Sequence, residues 1–224
     1  MLLIDEYIIQ QTKREFEFSY YGDLFYFSAF QYLNRDNSLM EGVGDFDFFK
    51  QFLYEYRVSR KIKADFKPRA WEEFKQLAKK EITTDTVDHI AKSIFIDLDP
   101  NRGINTSLCS KILMLLKPSL IIPIDSLNKE ALNFNKNEYK GFYQKLKIFE
   151  KEYHEQISSI MAQVDSRAKQ IESIYKDQFE EIESIRKNRI IDKLLVQIGR
   201  SILDNKEELN NAARLHKTDI HLQH

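Results

Sequence analysis

Asp125 is the residue whose setting most suggests chemistry. It closes the run Ser119-Leu120-Ile121-Ile122-Pro123-Ile124 and opens a helical pattern. A carboxylate at a helix start behind an apolar loop can stabilise developing positive charge, or orient and deprotonate a nucleophile. The same position suits a plain N-cap, and the two roles are compatible. Fourteen positions earlier, Lys111 lies at the edge of an apolar face set by Leu108, Ile112 and Leu115. An amine of lowered pKa there would be a nucleophile, whereas an ordinary lysine would snorkel to solvent. A third group is the run Arg102-Gly103-Ile104-Asn105-Thr106-Ser107. Turn amides and a helix N-terminus favour an anion, and arginine and hydroxyl side chains suit phosphate.

These residues need elements to position them. Val87, Ile90, Ala91, Ile94, Phe95 and Leu98 recur at helical spacing and predict an amphipathic helix, with Thr84 or Asp85 as its cap. Asp99 to Asn105 reads as a turn. A second helix is expected from Ser107 to Lys117, capped by Asn105 or Thr106 and stopped by Pro118. A third begins at Asp125 or Ser126. The order is helix, glycine-containing turn, helix, Lys-Pro step, apolar loop, Pro-x-Asp, helix.

That series, carried by Gly103-Ile104-Asn105, Lys117-Pro118 and Pro123-Ile124-Asp125, resembles the helix-hairpin-helix DNA glycosylases of the 8-oxoguanine type. It covers about 50 of the 224 residues. The resemblance implies removal of a damaged or modified base from DNA, with Asp125 as the essential carboxylate. It also implies a phosphate-gripping hairpin from Arg102 to Ser107. No metal or cofactor is implied. Two positions depart from the family pattern. Asn105 replaces the second hairpin glycine, and asparagine tolerates a positive φ better than most residues. Ser107 stands where bifunctional members carry lysine. Lys111, one turn later on the same helix face, is the nearest substitute, so lyase activity is in question.

The rest of the chain reads as all-α: a helix-hairpin-helix core with long C-terminal helices. With Gly 6 and Pro 4 the sequence has few breaks, and all four prolines lie in the middle third. Residues 1–66 form an aromatic-rich N-terminal part, with helices near Leu24–Leu33 and Phe46–Arg57 and a turn at Gly42-Val43-Gly44. Phe16-Glu17-Phe18-Ser19-Tyr20 alternates like a short strand. Its rings suit core filling, with base stacking as the alternative. Residues 67–150 hold the core and count 14 basic against 11 acidic side chains. Trp71 reads as a core anchor and Cys109 as a small buried hydrophobe. The densest basic run is Arg57, Arg60, Lys61, Lys63, Lys67 and Arg69.

Residues 151–205 carry an apolar stripe, Ile157, Ile160, Val164, Ala168, Ile171, Ile174, Tyr175, Phe179 and Ile182. A second face follows at Ile190, Ile191, Leu194, Leu195, Ile198 and Ile202, with Arg189, Asp192 and Arg200 beside it. Breaks are expected near Ser166 or Asn188. Residues 206–224 read as a flexible tail whose His216, His221 and His224 are too loosely spaced for a metal set. The competing functional reading is a non-catalytic DNA-binding or interaction module. In it the stripe would pair with a second copy or a partner protein. The net charge of −1 favours that alternative, because DNA affinity rests largely on phosphate neutralisation. No apolar run is long enough for a membrane span, and a single cysteine fits a cytoplasmic setting.

Overall fold

The computed structural model describes residues 4–35, 45–56, 58, 66–93, 105–175 and 177–221. Among these residues every regular element is helical. The α-helices are α1 (Glu6–Arg35), α2 (Phe46–Glu55), α3 (Lys67–Ala78), α4 (Val87–Ser93), α5 (Thr106–Leu116), α6 (Ser126–Ala131), α7 (Tyr139–Glu152), α8 (His154–Glu172) and α9 (Ile182–His221). A 3-10 turn, Ser173–Tyr175, follows α8. No described helix is long and apolar enough to cross a membrane.

The alternating aromatics of Phe16–Tyr20 are not a strand but part of α1. Phe16 and Tyr20 are four apart and both buried, with stacked rings 4.4 Å between centroids, while Phe18 points to solvent. The i, i+4 pair outweighs the two-residue alternation because one helix face must bury these rings. Phe30, Phe49, Trp71 and Phe74 form a second aromatic cluster joining α1, α2 and α3. Trp71 is thus a core anchor.

Most of the apolar stripe is spent inside the chain. Ile157, Ile160, Val164, Ala168 and Ile171 are buried, with α8 packed along α1 and α9. These five offer no free surface to a second copy or a partner, while Ile174, further along the stripe, is exposed. The predicted breaks at Ser166 and Asn188 do not occur. Ser166 lies within α8 and Asn188 within α9; the chain turns instead at Tyr153 and between Tyr175 and Ile182. Tyr153 is buried and leaves the helical backbone at φ −112, ψ 26, so packing breaks the helix there without Gly or Pro. The α9 backbone continues past Asn205 to His221.

A buried latch fixes the α1–α8–α9 layer. Arg186 of α9 makes a forked pair with Glu172 at 2.7 and 2.5 Å and reaches Asp165 at 2.7 Å. The Tyr20 hydroxyl donates to Glu172 at 2.8 Å. Such a forked pair satisfies the carboxylate geometrically, and breaking one member would strand a buried charge. This layer is the platform on which α5, α6 and the apolar loop between them are mounted.

Candidate functional site

The loop that presents Asp125 is clamped at three points. Ile124 N–H donates to the Ser110 hydroxyl of α5 at 3.0 Å. The Tyr139 hydroxyl donates to Ile122 O at 2.9 Å and accepts from Ile122 N–H at 3.2 Å. Asn128 donates through Nδ2 to Pro123 O at 2.8 Å. Buried loop amides and carbonyls are thereby satisfied by side chains, which is what a non-helical segment in a core requires. Asp125 caps α6 as expected, accepting from Asn128 N–H at 2.9 Å. Tyr139 is itself held by Asp88 of α4, which accepts from the Tyr139 and Lys140 amides at 2.6 and 3.0 Å. These contacts fix the backbone on which Asp125 stands.

Asp125 and Lys111 open onto one cavity of about 510 Å³, which Phe18, Tyr26, Tyr56, Arg189, Asp192 and Lys193 also line. Lys111 is half-buried there. Neither Lys111 nor Lys193 has an ion-pair partner among the described residues, whereas Arg200 pairs with Glu15 at 2.7 Å. Burial pushes the Asp125 carboxyl above its ordinary range, and the neighbouring Asp192 adds to this; the Asn128 amide and Lys111 only partly oppose them.

Behind the cavity runs a buried charge chain. Arg189 donates to Asp23 of α1 at 2.8 Å and to Asp192 at 3.0 Å, and the Tyr56 hydroxyl donates to Asp23. Asp192 in turn accepts from Asn128 Nδ2 at 2.9 Å. Asp125 is therefore tied through α6 to α9 and α1. Three buried polar atoms lack a partner among the described residues: Ser19 Oγ, Asn128 Oδ1 and Gln197 Nε2. Ser19 lines the cavity. Asn128 is bonded to two lining residues, Pro123 and Asp192. Gln197 lies near a third, Glu15. Unsatisfied buried groups are uncommon, and one of these, Ser19 Oγ, belongs to the cavity wall.

The other expected site residues fare differently. Arg102, Gly103 and Ile104 lie outside the described residues, as do Gly42–Gly44 and Arg57, Arg60, Lys61 and Lys63. Asn105 caps α5, accepting from Leu108 N–H at 3.1 Å with φ −97, so it makes no use of asparagine's tolerance for positive φ. Thr106 is buried and its hydroxyl donates to Asn137 O at 3.0 Å. Ser107 is half-buried. The α4 start is set by Thr86, whose hydroxyl closes a turn with Thr83 at 2.9 and 3.0 Å, instead of by Thr84 or Asp85. Cys109 is fully buried, and burial pushes its thiol well up, as befits an inert core residue.

The raised Asp125 carboxyl carries a stability consequence. A carboxyl whose folded pKa exceeds its unfolded value lends stability that is complete below the unfolded pKa, about 3.9, and lost as pH rises through the folded pKa. Asn caps a helix about as well as Asp without the buried charge. Asp125→Asn should therefore melt at or above the wild type at neutral pH, the gap closing as pH falls below about 4. Asp125→Ala should lose about 1 kcal/mol with the cap. Thermal melts of the three proteins across pH check this; a neutral-pH loss for Asp125→Asn matching that of Asp125→Ala would contradict it.

No family model, curated protein or solved structure matches the chain.

Proposed function

We propose that the protein binds DNA and removes a damaged or modified base by cleaving the N-glycosidic bond at the Asp125 cavity. One observation carries this reading: Asp125 and Lys111, from separate elements, open onto the same cavity, with the aspartate fixed by three clamps. Bond cleavage builds positive charge on the deoxyribose, and a carboxylate held beside it stabilises that charge and orients the attacking water. The raised Asp125 pKa suits a group that also takes a proton from the water. A base must leave the stack to reach such a site, and the cavity offers aromatic and polar walls to receive it. Lys111 supplies a cation beside the sugar, or a neutral amine that attacks C1′ and displaces the base; loss of the nitrogen proton and opening of the C1′–O4′ bond, with that oxygen protonated, then gives an imine.

The test is abasic-site formation on a panel of normal, oxidised, alkylated and hypermodified DNA. At least one substrate should yield abasic sites, and Asp125→Asn should abolish them. Borohydride trapping of a covalent protein–DNA species that Lys111→Met removes would assign the amine as nucleophile. Trapping absent in both proteins, with base release intact, would assign Lys111 a purely electrostatic role. No abasic site on any substrate would contradict the glycosylase reading.

A further inference from the structure

Phe18 is 91% exposed on α1, whose Phe16, Tyr20, Phe27 and Phe30 are buried. It lines two hollows: the Asp125 cavity on one side and, on the other, a cavity of about 440 Å³ between α1 and α8. The second is walled by Phe18, Tyr21, Ile171, Ile174, Arg167 and Glu17. Tyr21 and Ile174 are also more than half exposed. Tyr21 leans on Tyr175 with ring centroids 6.3 Å apart, so the shelf is braced before anything binds. Contiguous exposed apolar surface of this kind marks interaction sites more often than chance exposure does.

Charge indicates the occupant. Arg167 stands at the far wall, bonded only to the neutral Gln170 at 3.3 Å and with no carboxylate partner among the described residues. Lys111 and Lys193 stand on the near side, Lys111 near Asp125 and Lys193 near Glu15 and Asp23. Exposed rings with cations on both sides, Arg167 among them without a carboxylate partner, suit the alternation of flat bases and phosphates in an unpaired strand.

We infer that the α1–α8 shelf is a second nucleotide subsite. On it an unpaired base stacks on Phe18 and Tyr21, next to the nucleotide that enters the Asp125 cavity, with Arg167 taking a backbone phosphate. This rests on the reading of that cavity as a nucleotide site, and Phe18 is the partition between the two. A stacked base contributes about ten- to hundredfold to affinity, and each phosphate contact adds about one to the salt dependence of binding.

The experiment uses the full chain carrying Asp125→Asn and an oligothymidylate of about ten nucleotides. Adding Phe18→Ala should weaken binding about tenfold or more, and Arg167→Gln should lower the salt slope by about one. Phe18→Trp should be quenched saturably by the oligonucleotide; the one native tryptophan, Trp71, is buried and serves as the unquenched background. Circular dichroism of the variants confirms the fold. Unchanged affinity in Phe18→Ala and Tyr21→Ala would overturn the subsite. So would quenching of Phe18→Trp by an apolar helical peptide or a phosphatidylcholine vesicle but not by the oligonucleotide. Binding that depends on Phe18 in a protein that forms no abasic sites would support the subsite while removing the catalytic reading. Abasic-site formation indifferent to Phe18→Ala would remove the subsite alone.

Discussion

Arg189→Met is expected to cost about 3–5 kcal/mol, enough to threaten folding of a domain this size. Arg189 is buried, and so are both of its carboxylate partners, Asp23 and Asp192. Methionine fills much of the volume but leaves two carboxylates in the interior without their counter-charge. Burial alone would push Asp23 up; the Arg189 guanidinium overcomes it and holds the carboxyl below its ordinary range. The sign follows from linkage. A depressed folded pKa gives stability that is present above the unfolded value near 3.9 and lost as pH falls through the folded pKa. The penalty of Arg189→Met should therefore be full at neutral pH and shrink in acid, where the stranded carboxylates protonate. Arg189→Lys keeps the charge without the planar fork and should fall between the two. Urea titrations at neutral and acidic pH check the series. A loss below about 1 kcal/mol at neutral pH would mean that the chain is not a buried tie between α1 and α9.

The second large effect comes from a glycine. A Cβ at Gly199 would stand 2.3 Å from the carbonyl oxygen of Leu127 and 2.8 Å from its carbon. Those are backbone atoms of α6, the short helix that Asp125 caps, so no side chain can swing aside. Gly199→Ala gains up to about 1 kcal/mol of helix propensity yet should still destabilise, by about 2 kcal/mol net, because α6 must move off α9. The displacement also pulls Asn128 from Asp192, so base release should fall further than stability does. Gly22 is the control. It sits inside α1 with nothing within 4 Å of an added Cβ, and Gly22→Ala should stabilise by up to about 1 kcal/mol. Thermal melts of the pair decide it: equal shifts of the same sign would contradict the close approach at Gly199.

Local patterns in the sequence carried the frame of the site. Asp125 is legible because a cap requires only its own helix, and Lys111 because its face is fixed by Leu108, Ile112 and Leu115. The partners that make them a site are not legible. Asp23 and Arg189 are 166 residues apart, and no short-range pattern links them. Arg189 and Asp192 stand beside the apolar face of α9, and only the packing of α1 and α6 on that face turns them inward. Phe18 is instructive in the other direction. Read as alternation, Phe16 to Tyr20 looks like a strand, while the helix spacing buries Phe16 and Tyr20 and leaves Phe18 outside. The breaks at Tyr153 and after Tyr175 carry neither Gly nor Pro, so breaker residues could not locate them.

The central claim is that Asp125 stabilises the transition state of base removal. The most direct measurement is single-turnover base release by wild type and Asp125→Asn at equal DNA occupancy, on whichever substrate of the panel is cleaved. The account predicts a loss of about a hundredfold or more in rate with DNA affinity and melting temperature retained. Equal rates in the two proteins would reduce Asp125 to a helix cap and contradict the account.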